Sequence, residues 1–280
     1  EIADGDWSSD VCSSDLLVLA LSISCENNEV VGPIEKESTI FDNEEIMNLE
    51  VKNIGKIHNE ILEEFDKKHD LLSDERLKPE EFITLTMKSI NKIFQQRDIP
   101  CEVNRNDIRF IISKFVEIKQ AGAYNFFSDS KQDLSNVKPL FTYLEKNMGL
   151  DSKVSKRCIE LTDIAMKEGK SIALIQNSSN YLADDEYTQS FSEILNYSID
   201  FWKTKNRNAE LLFREEEDDT TNPGFDIPMN PKADAVGGVV GALLGSGLAS
   251  AIFAPAASVA FQVQLEYPEY WLPPTHIGRW

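Results

Sequence analysis

Residues 235–260 read AVGGVVGALLGSGLASAIFAPAASVA and contain no charged side chain, no amide and a single aromatic ring, Phe253. Gly237, Gly241 and Gly245 stand four apart, and Ala249 continues the row. Residues at that spacing share one helix face. A row of missing side chains lets a second backbone approach closely, which is how small residues pair helices in membranes. Val236, Val239, Val240 and Leu243 fall on another face, free to meet lipid or a protein core. As one helix ended near Pro255, Ala235 to Ala254 would extend about 30 Å, enough to cross a hydrocarbon core. The driving force is smaller than the length suggests. Val236, Val239, Val240, Leu243, Leu244, Leu248, Ile252 and Phe253 together contribute about −2 to −5 kcal/mol to insertion, and the glycines and serines erode it. A lone helix would insert marginally and a packed pair better. The alternative is a buried helix or hairpin inside a soluble fold. Each glycine costs a helix in water about 1 kcal/mol relative to alanine, so the glycines need a reason. Close packing supplies one.

At the other end, Asp6 to Leu16 reads DWSSDVCSSDL. Over its whole length this resembles the translation of a common sequencing-adapter oligonucleotide, so residues 1–16 are expected to be an artefact. Without Glu1, Asp4, Asp6, Asp10 and Asp15 the formal charge moves from −20 to −15. The next residues, 17–25, read LVLALSISC. They resemble the end of a relaxed lipoprotein signal, with residues 17–24 as its remnant and Cys25 as the cleaved and acylated cysteine. An ordinary secretory signal, or an apolar strand of an internal fragment, are the other readings. Multiple acyl chains on Cys25 would anchor stably where a single chain would not.

About 255 residues remain, enough for one substantial domain with appendages. The acidic balance argues against nucleic acid and against attraction to anionic lipid. Residues 25–40 have few large apolar side chains and read as a flexible tether. Beyond Cys25, the cysteines are Cys101 and Cys158. They could form a disulfide in an oxidising envelope, or be two buried thiols.

From Phe41 the pattern is helical. Asp42 and Glu45 suggest a capping box, and Ile54, Ile57, Ile61 and Phe65 give an apolar face. Pro79 with Glu80 and Glu81 starts a helix with the stripe Ile83, Met87, Ile90 and Phe94, closed by Pro100. A third begins near Asn106, with Ile108, Ile111, Ile112 and Phe115. A fourth carries Leu140, Phe141, Leu144 and Met148 and stops at Gly149. Asp151 opens a fifth, with Val154, Cys158, Leu161 and Ala165, ended by Gly169. A short helical piece covers Ile172 to Gln176. The last long helix starts near Asp184 with the stripe Tyr187, Phe191, Ile194, Ser198 and Phe201 or Trp202. No stretch sustains strand alternation. The expected fold is therefore all-α: about six helices over 41–207, an acidic linker over 208–233, and a glycine-zipper-like apolar helix or hairpin over 234–261. An aromatic, proline-rich tail follows over 262–280.

No motif carries chemistry. There is no HExxH, P-loop, GxSxG or cysteine–histidine metal spacing, so no catalytic residue, metal site or cofactor is expected. His58, His69 and His276 are dispersed, and His58 lies one step from the apolar face, where it reads as a hydrogen-bonded packing residue. The abundant carboxylates read as solvated helix faces.

Gly55 to Leu62, GKIHNEIL, resembles a recurring G-x-x-H-N helix of uncharacterised lipoproteins from Gram-negative bacteria. Ser190 to Trp202, SFSEILNYSIDFW, resembles their later helix, and those proteins also finish in a Gly/Ala-rich segment. The resemblance implies an envelope protein and no particular activity. The glycine row separately resembles helix-pairing segments of small pore-forming bacteriocins. The expected function is a lipid-anchored helical envelope protein associated with the outer membrane, neither an enzyme nor a binder of nucleic acid. Its partners would be the membrane, through the anchor and the glycine-rich segment, and a protein or a second copy of itself. The alternative is a secreted bacteriocin- or toxin-like protein whose acidic domain keeps a membrane-active segment soluble.

Overall fold

A computed structural model describes residues 39–72, 77–124, 126, 137–168, 185–214, 230–245 and 247–262. Every regular element among them is helical. After a 3-10 turn at Ile40–Asp42 come α1 (Glu44–Met47), α2 (Ile54–Asp66), α3 (Pro79–Gln96), α4 (Arg105–Gln120), α5 (Lys138–Met148), α6 (Ser152–Glu168), α7 (Glu186–Arg214), α8 (Asn230–Leu244) and α9 (Gly247–Gln262). The all-α expectation holds. Leu17 to Cys25, the acidic block after Arg214, Gly169, the piece at Ile172 to Gln176 and the tail after Gln262 lie outside the described residues.

Short polar side chains set the helix starts. Asn43 caps α1, accepting from the Glu45 and Ile46 amides at 3.1 and 3.3 Å. The expected Asp42–Glu45 box does not form, because Asp42 turns back to accept from the Thr39 amide at 2.9 Å and closes the 3-10 turn. Asn104 opens α4 by accepting from the Asn106 and Asp107 amides. Asp107 reciprocates to the Asn104 amide at 2.7 Å and also accepts from the distant Ile40 amide at 2.8 Å. One buried carboxylate thus caps a helix and pins the first turn to it. Asp151 and Asp185 cap α6 and α7 in the same way. α3 ends at Gln96, before Pro100, because Asp98 takes a left-handed conformation (φ 53°). Gly149 (φ 75°) ends α5 where the sequence places it.

The predicted stripes face inward. Ile57, Ile61 and Phe65 of α2, Ile83, Ile90 and Phe94 of α3, and Ile111, Ile112 and Phe115 of α4 are buried, while Met87 is half-buried. α2 is also clamped by charge. Glu64 on it, nearly fully buried, accepts from Lys92 of α3 at 2.7 Å and lies 3.0 Å from Lys68. Hydrogen bonding to Lys92 leads the effects that hold its carboxyl below the usual range, against the opposing effect of burial. Asp66 of α2 accepts from Lys205 of α7 at 2.6 Å.

Of the helix and the hairpin expected for the glycine-rich segment, the structure has the hairpin and not one helix from Ala235 to Ala254. The segment turns at Gly245, and α9 continues through Pro255. Nor is it an appendage beyond a linker. α7 extends past Arg207 to Arg214, and α8 already begins at Asn230, so both ends of the expected 208–233 linker are helical. The hairpin α8–α9 packs against α7 and α2, with further contacts to α3 and α4. From Pro231 to Phe261 the described residues are buried, except Leu243, Leu244 and Gly245 at the tip, which are half-buried. A helix with no polar face in water has to be enclosed, and here the amphipathic helices turn their apolar stripes onto it. Phe253 sits edge-on to Phe41 and Phe115, with ring centroids 5.7 and 5.9 Å away.

Fully burying each large hairpin side chain, such as Val239, Ile252 or Phe253, contributes about 1.5–3 kcal/mol. The helices before it therefore lack their core when the hairpin is removed. A chain ending at residue 229 is expected to lose the cooperative thermal unfolding of the full chain, as read by circular dichroism. A truncated protein melting cooperatively at the same temperature would show that the outer helices fold without it.

Candidate functional site

The densest group of buried polar side chains gathers where α2, α7 and α8 meet. Asp234, near the start of α8, is the one acidic residue of the hairpin and is fully buried. Its Oδ2 accepts from Ser198 Oγ and, at 3.1 Å, from Trp202 Nε1. Ser198 and Trp202 are four apart on α7 and share a face. His58 of α2 brings Nε2 to 3.3 Å from the same oxygen. The other ring nitrogen, Nδ1, lies 3.0 Å from Asn59 Oδ1, and Asn59 Nδ2 donates to the Tyr197 carbonyl at 2.9 Å. Gly55, one helical turn before His58, lets α2 approach α7: a Cβ there would lie 2.6 Å from the Glu193 carbonyl oxygen. Tyr124, also buried, is near enough that Asp234 adds to burial in pushing its hydroxyl well above the usual tyrosine range.

An acid, an imidazole and a serine hydroxyl invite comparison with a nucleophilic triad, but the order of contact is wrong. A triad needs the hydroxyl on the imidazole, and here both address the carboxylate. His58, Ser198, Trp202 and Asp234 are each about 0 % exposed, so no substrate reaches them. The arrangement joins three helices through one oxygen.

The glycine row is also placed. Gly237 and Gly241 face α9: a Cβ on Gly237 would stand 2.9 Å from the Phe253 carbonyl oxygen, and one on Gly241 would stand 2.6 Å from that of Ala249. Gly245 does not continue this contact, since it lies in the turn against the Met47 side chain. Ala249 is not on the same helix but across the hairpin from Gly241. Gly238 faces Ile194 of α7 instead. Ser250 Oγ donates across the hairpin to the Gly238 carbonyl at 2.9 Å. The glycines therefore serve a helix pair, and the pair is internal to the bundle.

Cys101 and Cys158 are free, so the expected disulfide alternative is not formed. Burial, with Asp107 and Glu102 adding to it, pushes the Cys101 thiol up to about 11, and burial raises Cys158 further, so neither is a ready thiolate. His69 is half-buried, its ring edge-on to Phe65. Cys25 and His276 lie outside the described residues. A cleft of about 280 Å³ opens at the hairpin tip, between Lys114 and Glu117 of α4, Tyr143 and Asn147 of α5, and Leu243 and Leu244 of α8. Among the described residues, no group of three or more histidine, cysteine and acidic side chains could hold a metal ion, and no helix is long and apolar enough to cross a membrane.

Sequence reading placed Ser198, and Phe201 or Trp202, on the α7 stripe and His58 as a packing residue, but it missed Asp234 and Tyr124. A lone carboxylate at the threshold of an apolar run was the available signal for Asp234. No family model, curated protein or solved structure matches the chain.

Because the atoms facing Gly241 are backbone, they cannot swing aside. Gly241→Ile is expected to destabilise the protein by at least about 2 kcal/mol in urea denaturation, despite isoleucine's better helix propensity. Gly247→Ala, whose Cβ would stand 3.3 Å from both the Ile54 side chain and the Val51 backbone nitrogen, without the sub-3 Å approach seen at Gly241, should cost much less. Equal effects at the two positions would contradict a close α8–α9 contact.

Proposed function

We propose that this chain is a lipid-anchored α-helical protein of the cell envelope, held to the membrane through Cys25, whose folded part binds or scaffolds and catalyses nothing. The observation that supports the non-catalytic reading is closure of the acid–imidazole–hydroxyl cluster: its groups face one another and are sealed from solvent. The two cysteine thiols are likewise disarmed by burial. The apolar run Leu17 to Cys25, followed by the polar stretch Glu26–Glu29, supports the anchor. In this reading the glycine-rich segment is a packing element of the bundle, and the acidic surface faces an aqueous compartment.

A second reading has its own observation. α8 and α9 lack a polar face, and Leu243 and Leu244 at their tip are partly accessible in the cleft. That combination suits a secreted, toxin-like protein that keeps a membrane-active hairpin sheathed in acidic helices. At about 22–24 Å each, the helices are shorter than a hydrocarbon core, so such a hairpin would enter one leaflet and return.

Two measurements separate the readings. Expressed from its native gene, the wild-type protein should incorporate labelled fatty acid and fractionate with membranes, and Cys25→Ser should appear in the soluble fraction. An unlabelled wild type partitioning identically to Cys25→Ser would refute the anchor. Dye release from vesicles of phosphatidylethanolamine and phosphatidylglycerol should be absent for the anchored scaffold, and release would favour the sheathed toxin.

A further inference from the structure

The charge-free run from Ala235 to Ala260 is buried throughout its described residues except at Leu243, Leu244 and Gly245. Both leucines line the cleft of about 280 Å³ at the hairpin tip. Two helices stop beside it: α8 at Leu244, where the chain turns, and α5 at Met148, before the left-handed Gly149. The third wall is the last part of α4. Each helix brings residues at helical spacing, so each presents one face. Val240 and Leu244 of α8, with Ile118 of α4 and Met148 of α5, make the lining largely apolar. Its polar side comes from Tyr143 and Asn147 of α5 and from the pair Lys114 and Glu117 of α4. A concave, mostly apolar space with a few polar groups at one side is the form of a small-molecule site.

We propose that this cleft binds a short aliphatic chain carrying an uncharged polar head, of the kind a medium-chain alcohol presents. Size sets the chain. At about 30 Å³ for each water-sized group, the cleft holds about nine, which is eight carbons and one oxygen. Charge sets the head. Lys114 is the one cation of the lining, and its charge is already answered: Nζ donates to both Glu117 oxygens at 3.2 and 3.0 Å and stands 5.4 Å over the Phe110 ring. An anionic head would have to displace Glu117, on a chain that is itself strongly acidic. A cationic head would face Lys114. An uncharged head meets neither cost, and α5 offers it an acceptor. Asn147 Nδ2 donates to the Tyr143 carbonyl at 2.9 Å, which leaves its Oδ1 to accept. The aliphatic chain then covers Leu243 and Leu244, the part of the run that the bundle leaves half-open. The inference rests on the reading that the folded part binds, and it gives that reading a ligand class.

The test is methyl NMR of the full chain, following Leu243, Leu244 and Met148 as straight-chain 1-alcohols are added. 1-Octanol should shift these methyl signals and saturate. Affinity should rise about three- to fourfold per methylene from butanol to octanol, then level off at decanol, where the chain outgrows the cleft. Octanoate and octylammonium should bind about tenfold more weakly than octanol, because each puts a charge beside one that is already paired. Leu244→Asn removes part of the apolar wall at a half-buried position and should weaken octanol about tenfold. If that variant does not fold, the chain-length and head-group series decide alone. Shifts without saturation, affinity still rising at decanol and dodecanol, or a charged head bound as tightly as octanol would overturn the proposal. So would lining methyls that move with protein concentration before any alcohol is added, since the occupant would then be a second copy of the chain. Acylation of Cys25 plays no part in these shifts, so failure here leaves the anchor standing.

Discussion

Two consecutive helices without a polar face have to be enclosed if the chain is to stay in water, and the rest of this fold follows from that constraint. The helices around them are amphipathic and turn Ile, Leu and Phe inward onto the hairpin. The exterior is left strongly acidic. Charged pairs such as Lys205–Asp66 and Lys92–Glu64 tie the outer helices to one another at their margins, while the hairpin itself is held almost wholly by shape.

Shape alone is a weak specifier for helices built of glycine, alanine and valine, because such surfaces slide easily. Two features oppose sliding. Gly237 and Gly241 bring the α8 and α9 backbones so close that a shift in register would drive side chains into carbonyls. Asp234 then fixes the pair against α7 through hydrogen bonds from Ser198 and Trp202, with His58 of α2 closing on the same oxygen at 3.3 Å. A buried polar network of this kind is expensive when partly satisfied and specifying when its donors converge. Convergence of three helices on one carboxylate oxygen is the sharper constraint on register.

Much of the fold was legible because periodicity and short polar caps are local signals. Pro79, Gly149 and Asp151 mark helix ends where they were read, while the starts read near Asn106 and Asp184 fall within two residues of the true caps, Asn104 and Asp185. What the sequence hid was long-range. Nothing near Gly245 distinguishes a turn from a continuing helix, because glycine is common to both. The row Gly237, Gly241, Gly245 and Ala249 looked like one face, yet the turn sets Ala249 opposite Gly241. The polar cluster was harder still. Its members come from residues 58, 198, 202 and 234, and only tertiary packing brings them together. Gly55–Leu62 and Ser190–Trp202, far apart in the chain, supply His58, Ser198 and Trp202 to it.

In both functional readings the hairpin begins inside the bundle; they differ in whether it ever leaves. Enclosure is therefore the central claim, and amide hydrogen exchange of the full chain in buffer addresses it directly. If α8 and α9 form the core, their amides should be among the slowest, exchanging only with global unfolding and slowing or quickening with overall stability. Hairpin amides that exchange faster than those of α3 or α4, independently of global stability, would contradict it.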